Sequence, residues 1–204
     1  MYVHKNGMRL DVVDRADLNR LKSLKDESWF GTHTTAILNS FQQENWFESI
    51  DNKNNMVFIV RRVAGGPSCA GESVGVYKVS NIDWVSRKYD SAHDVFKDHR
   101  GKGLSHPVLE AGVDFGFEVL NMHRIDTEVL ENNIASFKSV CYVGYQKEGV
   151  KRKAVYKCGD YLDSVVFGIV REDWEQLDRV KEYGGICNVS YNPKNNKERG
   201  GEVQ

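Results

Sequence analysis

A chain of 204 residues, 40% hydrophobic and 28% charged, has the size and balance of one soluble domain with a sizeable core. Its formal net charge of −1 argues against a broad surface for nucleic acid or anionic membrane, and no uncharged apolar run approaches the ~18 residues of a membrane helix. Met1 to Gly7 lacks the apolar core of a secretion signal. Cys69, Cys141, Cys158 and Cys187 have neither C-x-x-C nor His/Cys metal spacing. The expectation is reduced thiols in the cytoplasm, no metal, no membrane and no direct nucleic-acid partner.

Met8–Val13 alternates apolar and polar residues and predicts a first strand. Asp17–Leu24 predicts a helix, and Thr35–Ile50 a helical stretch with a break, whose Trp46 and Phe47 close the core from one side. Met56–Val60 reads as a buried strand, and Ala64-Gly-Gly-Pro-Ser68 turns the chain as a hairpin into a strand over Ser73–Ser80. A fourth strand covers Tyr89–Phe96. After Arg100-Gly101-Lys102-Gly103-Leu104-Ser105 an amphipathic helix runs to Leu120, with Leu109, Gly112/Val113, Gly116/Phe117 and Leu120 at intervals of three and four.

Then come a strand over Ile125–Leu130, a helix over Ile134–Tyr142, strands over Tyr145–Lys157 and Leu162–Val170, and a short helix from Asp173. From about Gly184 the chain turns polar, which predicts a frayed tail. The reading is a single domain over 1–184, a flexible tail over 185–204, and an α/β or α+β architecture with one mixed sheet.

The loop after the fourth strand carries the first chemical signal. A strand feeding a glycine-containing turn that opens a helix aims several backbone N–H groups at one point, where the helix dipole also favours an anion. Arg100 and Lys102 add positive charge. An ordinary βα turn with solubilising charges is an equal reading of this segment alone. The spacing is neither that of a P-loop nor that of a dinucleotide fingerprint.

Arg100-Gly101-Lys102-Gly103 resembles the [RQ]-x-x-G-x-[GA] loop of the GNAT superfamily, the acetyl-CoA-dependent N-acetyltransferases. Asn133-Ile-Ala-Ser136, Gly144-Tyr145, Glu148-Gly149, Gly159-Asp160 and Asp163 follow in an order similar to one branch of it. That branch holds ribosomal-protein N-terminal acetyltransferases and the amino-sugar N-acetyltransferase of pseudaminic acid synthesis.

The resemblance implies a mostly antiparallel sheet of six to seven strands flanked by helices, with the fourth and fifth strands splayed. It implies acetyl-CoA as co-substrate, its pyrophosphate on the amides of Arg100, Gly101, Lys102, Gly103, Leu104 and Ser105. Pantetheine would lie by Val95, Phe96 and Lys97, and a backbone N–H near Val95 would polarise the thioester carbonyl. Asn133 and Ser136 would sit beside the cofactor, with Ser136 able to protonate the departing thiolate. The implied reaction is direct attack of an amine in a ternary complex. The acceptor would be a protein N-terminus or a nucleotide-linked amino sugar, with a homodimer left open.

The chain departs from the pattern at the acid and the base. Ser105 takes the sixth loop position, and Pro107 follows in the first helical turn, where it removes one donor. Val140 stands where relatives carry a tyrosine acid, and Tyr142 is about 200° further around the helix. Val155 stands where the ribosomal branch carries a catalytic glutamate. The carboxylate would then come from Glu128 or Asp90, with His93 as a further candidate base. Each has a plainer reading: solvated charge for Glu128 and Asp90, hydrogen-bonded wall for His93, helix cap for Ser136, turn support for Asn133, core for Trp46, Phe47 and Trp84, solvated run for Lys151-Arg152-Lys153.

An α-amine with pKa near ~8 is about a tenth neutral at pH 7, whereas a lysine near ~10.4 is neutral only to about one part in a few thousand. A weak base therefore suits an amine of low pKa. The rival reading is an acyl-CoA-binding regulatory module with little turnover.

Overall fold

Among the described residues eight strands form one sheet: β1 (Tyr2–Val3), β2 (Met8–Val12), β3 (Met56–Arg62), β4 (Glu72–Asp83), β5 (Lys88–Val95), β6 (Arg124–Leu130), β7 (Gln146–Lys157) and β8 (Asp160–Val170). Their order is β1-β2-β3-β4-β5-β6-β8-β7. Every neighbouring pair is antiparallel except β5–β6. The helices are α1 (Leu18–Ser28), α2 (Ser40–Glu48), α3 (Ser105–Glu118), α4 (Ile134–Val143), α5 (Arg171–Gln176) and α6 (Asp178–Lys181).

This computed structural model describes residues 1–33, 39–50, 53–63 and 70–181. Outside them lie the expected turn at Ala64–Ser68, the start of the helical stretch from Thr35, Cys69, Cys187 and the tail beyond Gly184. Among the described residues no helix is long and apolar enough to cross a membrane.

The apolar run of β3 is explained by two cores. Phe58 and Val60 pack into the larger cluster on the α3 face, whereas Val57 and Ile59 join Leu21, Leu24 and Val76 on the α1 face. A strand buried on both sides loses the apolar–polar alternation of a half-exposed one. Trp46, Phe47 and Ile50 close the second core, as their clustering suggested. The break before α2 is a capping box, in which Asn39 accepts the Gln42 amide and Gln42 reaches back to Asn39.

Helix α3 lies very close to the sheet. A Cβ on Gly112 would overlap the Tyr77 ring, and one on Gly116 would meet the Tyr89 hydroxyl. Gly112→Ala is therefore expected to cost about 1–3 kcal/mol by overpacking, read as a lower midpoint of chemical denaturation; an unchanged midpoint would mean that the helix shifts freely.

The mixed sheet and the strand–helix order follow the sequence reading. β1 is an addition, because two residues carry no periodicity. The last strand starts at Asp160 rather than Leu162, and the helix after it at Arg171 rather than Asp173.

The parallel pair is the feature that positions everything else. β5 and β6 pair only at Lys88↔Arg124, Tyr89↔Ile125 and Asp90↔Asp126. Two hydroxyls then replace the ladder: Ser91 Oγ donates to the Asp126 carbonyl (3.1 Å), and Thr127 Oγ1 donates to the Ser91 carbonyl (2.9 Å). Past these clips the strands part. Each arm stays rigid, because β5 remains paired to β4 as far as Val95 and β6 to β8 as far as Leu130.

Candidate active site

The freed edges enclose two chambers that share walls. The larger, about 470 Å³, lies against the loop of residues 100–105. The smaller, about 180 Å³, is bounded by α1, Trp46, β4, β5 and β6. Ser28, Gly31, Thr32, His93, Asp94, Asn133 and Ser136 line both and mark the junction.

The loop fits a bound anion. Gly101 (φ +74°) and Gly103 (φ +73°) adopt the left-handed conformation that side chains resist. Among the described residues the amides of Gly101 to His106 donate to no acceptor, and α3 has no side-chain cap. The start of a fourteen-residue helix is thus left with free donors on a loop that lines the larger chamber.

Of the expected cofactor-binding residues, Val95, Arg100, Gly101, Gly103, Leu104, Ser105, Asn133 and Ser136 line this chamber. Phe96, Lys97 and Lys102 do not. Phe96 is buried in the α1 core, its ring under Arg20, and its amide donates to Val74 O (3.0 Å). Lys97 and Lys102 point to solvent. Because successive amides face opposite strand edges, the Phe96 bond to β4 directs the Val95 and His93 amides into the gap. Arg100 folds back, its Nε donating to Val95 O (2.9 Å).

The junction contains a carboxylate. Asp94 Oδ1 accepts the Val95 amide (2.8 Å), with Arg100 Nη2 at 3.5 Å. Burial raises its pKa, only partly offset by the Ser28 hydroxyl, Arg100, the Val95 amide and Lys78. Glu128 lines the smaller chamber but is engaged, its Oε2 accepting the Ser164 hydroxyl (2.8 Å) and its Oε1 paired with Lys151. Burial pulls Glu128 upward, yet Lys151 and Ser164 outweigh it and leave its pKa below the ordinary value. Asp90 is exposed, bonded to Asn81 Nδ2 (2.7 Å), and lines neither chamber.

His93 belongs to a chain of hydrogen bonds: its Nε2 to Ser105 Oγ (2.9 Å), Ser105 Oγ to Ser139 Oγ (2.7 Å), and Ser139 to Ala135 O (3.0 Å). A carbonyl can only accept, so each hydroxyl donates onward and the imidazole enters as an Nε2–H donor. Burial, then the nearby His106, lowers its pKa to about 4. Asn133 caps α4 through the Ser136 amide (3.1 Å) and donates Nδ2 to Gly31 O (2.7 Å). The Ser136 hydroxyl makes no hydrogen bond among the described residues.

The splayed pair, the uncapped helix and the junction describe a cleft for a long phosphate-bearing ligand meeting a second one. Residues 8–146 match the acetyltransferase (GNAT) domain family. The chain belongs to that family.

It is 27% identical over 103 residues to the N-acetyltransferase p20 of Bacillus licheniformis, covering 50% of this chain and 58% of that protein. Thus this GNAT chain spans little more than half the length of that relative. It is 29% identical over 172 residues to the prophage-derived N-acetyltransferase YokL of Bacillus subtilis, covering 83% of this chain and 93% of that one. The spermidine N-acetyltransferase of Vibrio cholerae, solved with CoA and spermine, shares the fold at a TM-score of 0.72 and 20% identity, over 83% of this chain and 99% of that one.

Other residues of the GNAT cleft escaped the sequence reading: Asp94, Lys25, Lys78, His33 and Thr32. Lys78 had a signal, a charge inside the apolar run Val74–Val79 of a central strand. Asp94 had one in its place just before Val95. Lys25 and His33 had none, because only tertiary packing carries α1 and the segment after it across the splay. Val140 is a core residue, Tyr142 stacks on His106 (4.2 Å) at the surface, and Trp84 caps a distant turn by donating to Lys53 O (2.9 Å).

Proposed function

We propose that this protein is an acetyl-CoA-dependent N-acetyltransferase that acts by direct attack of a primary amine of low pKa. The observation that carries this is the interrupted β5–β6 ladder, which opens a slot between the anion-ready loop and a separate, smaller chamber. The Gly101–Ser105 amides hold the diphosphate of acetyl-CoA, and the backbone of His93 and Val95 on the edge released from the ladder takes the pantetheine as an added strand. The amine enters from the smaller chamber.

The chain's own groups then have distinct tasks. The Val95 amide donates to the thioester carbonyl oxygen as negative charge builds there. Asp94 thereby loses its own bond from that amide, which makes it a better proton acceptor at the moment the amine attacks. The new bond is nitrogen to acetyl carbon and the broken bond is carbon to sulfur. The amine's proton passes to Asp94, the Ser136 hydroxyl protonates the thiolate, and the proton held by Asp94 returns to the Ser136 oxygen across the junction that both residues line. Glu128 is too firmly held by Lys151 to compete, so we give it the role of a positioning residue for Lys151, Ser164 and His33 rather than the base. His93 serves as the wall that aligns Ser105.

A thiol-release assay over α-amines, amino sugars and polyamines, run beside acetyl-CoA calorimetry, tests this reading. Acetyl-CoA binding with release for at least one class is expected. Binding without release for any amine would favour an acyl-CoA-binding module, and absence of binding would remove both.

A further inference from the structure

We infer that the smaller chamber selects an acceptor whose amine is accompanied by an anionic group, a carboxylate or a phosphate, which Lys25 and Lys78 receive. This rests on the acetyl-transfer reading for the identity of the chamber, and it names the class of acceptor.

Lys25 from α1 and Lys78 from β4 line the smaller chamber and not the larger, whereas Asp94 lines both. The cations therefore stand away from the cofactor side, and the proton acceptor stands at the junction. An acceptor spanning the chamber has its amine at Asp94 and its other end between the lysines.

Lys78 makes no hydrogen bond or ion pair among the described residues. The strand register places it opposite Ala92, one diagonal step from Asp94 on the same face, where the two attract without forming an ion pair. Lys25 lies over the Trp46 ring (4.2 Å) and reaches Gln43 Oε1 (3.4 Å). Burial and then repulsion from Lys78 lower its pKa to about 8. Two lysines of like charge thus line one small chamber, and burial disfavours the charged form of each.

An unpaired charge in such surroundings is costly. An incoming anion relieves both the desolvation and the repulsion, whereas a polycation would add to them. The Thr32 hydroxyl, buried and without a hydrogen-bond partner among the described residues, lies on the wall of the same chamber and offers one further donor. Leu21, Leu24 and Trp46 supply an apolar middle.

The test compares matched pairs that differ in the anion. Binding to the CoA complex is measured calorimetrically for N-acetylglycine against N-acetylglycinamide, and for N-acetylglucosamine 6-phosphate against N-acetylglucosamine. The corresponding free amines, with spermidine, are assayed for thiol release. In at least one pair the anionic member should bind roughly tenfold or more tightly. That ratio should fall towards one in Lys78→Met and in Lys25→Met, and Lys78→Arg should restore part of it.

Equal binding within both pairs, a ratio unchanged in both methionine variants, or preferred turnover of spermidine would overturn the inference. The glycinamide pair guards against a trivial cause, because the amide lowers the amine pKa and would by itself favour the neutral acceptor. If no amine releases thiol but the anionic products still bind preferentially, the transferase reading falls and the anion pocket stands. If neutral and anionic amines turn over alike, the pocket falls and the transferase stands.

Discussion

Gly103→Asp is expected to abolish measurable acetyl-CoA binding while leaving the protein folded. Two effects combine. The residue sits at φ +73°, where a side chain meets backbone strain of about 1–2 kcal/mol. A Cβ there meets nothing within 4 Å, so packing is not disturbed. The larger effect is charge. A carboxylate about 4 Å from a phosphate is repelled by about 4 kcal/mol at an effective dielectric near 20, which is roughly a thousandfold in affinity. Gly103→Ala separates the two, since it keeps the strain and omits the charge, and should weaken binding far less. Calorimetry with acetyl-CoA, beside a thermal melt of each variant, reads both quantities. Unchanged affinity in the aspartate variant would remove the loop from the cofactor site.

Asp94→Asn should lower kcat by about 10²–10⁴-fold, the usual loss when a positioned base is removed, with acetyl-CoA affinity retained. The amide keeps an oxygen for the Val95 N–H but cannot take a proton from the amine. Burial lifts the Asp94 pKa above the ordinary carboxylate range. The wild-type rate should therefore fall as pH drops through that raised value, and this limb should vanish in the variant. Glu128→Gln should leave the limb in place, because the Glu128 pKa is displaced the other way by Lys151 and Ser164 against burial. A rising limb that survives Asp94→Asn but disappears in Glu128→Gln would exchange the two roles.

The stability effect of Asp94 has the opposite sign. A carboxylate whose folded pKa is raised contributes fully below its unfolded pKa, and the contribution is lost as pH rises through the folded value. At neutral pH ionised Asp94 thus weakens the fold, and Asp94→Asn should melt higher than wild type while working more slowly. Such a trade is expected where a buried charge serves chemistry.

Particular residues show how far the sequence could lead. The Gly101 and Gly103 loop was legible because its signal is local: a strand, two glycines and a helix start lie within a dozen residues. Ser136 and Asn133 were legible through a resemblance in order and spacing, and both line the junction. Phe96 and Lys97 were placed by proximity in sequence to Val95. Strand alternation sends the Phe96 amide to β4 and its ring to the α1 core instead. The sequence reading named His93 and not the neighbouring Asp94 as a candidate base, and the two residues both line the junction.

Alone, the amino-acid order determined the succession of strands and helices, the mixed sheet and the phosphate-ready turn, since periodicity, glycine and helix dipoles act over short stretches of chain. Tertiary structure decided where the parallel ladder ends, which carboxylate stands at the mouth of the slot and which is neutralised by a lysine, and that lysines 53 positions apart face one chamber. Those outcomes depend on which distant segments meet, and on how burial and neighbouring charge reset each group once they have met.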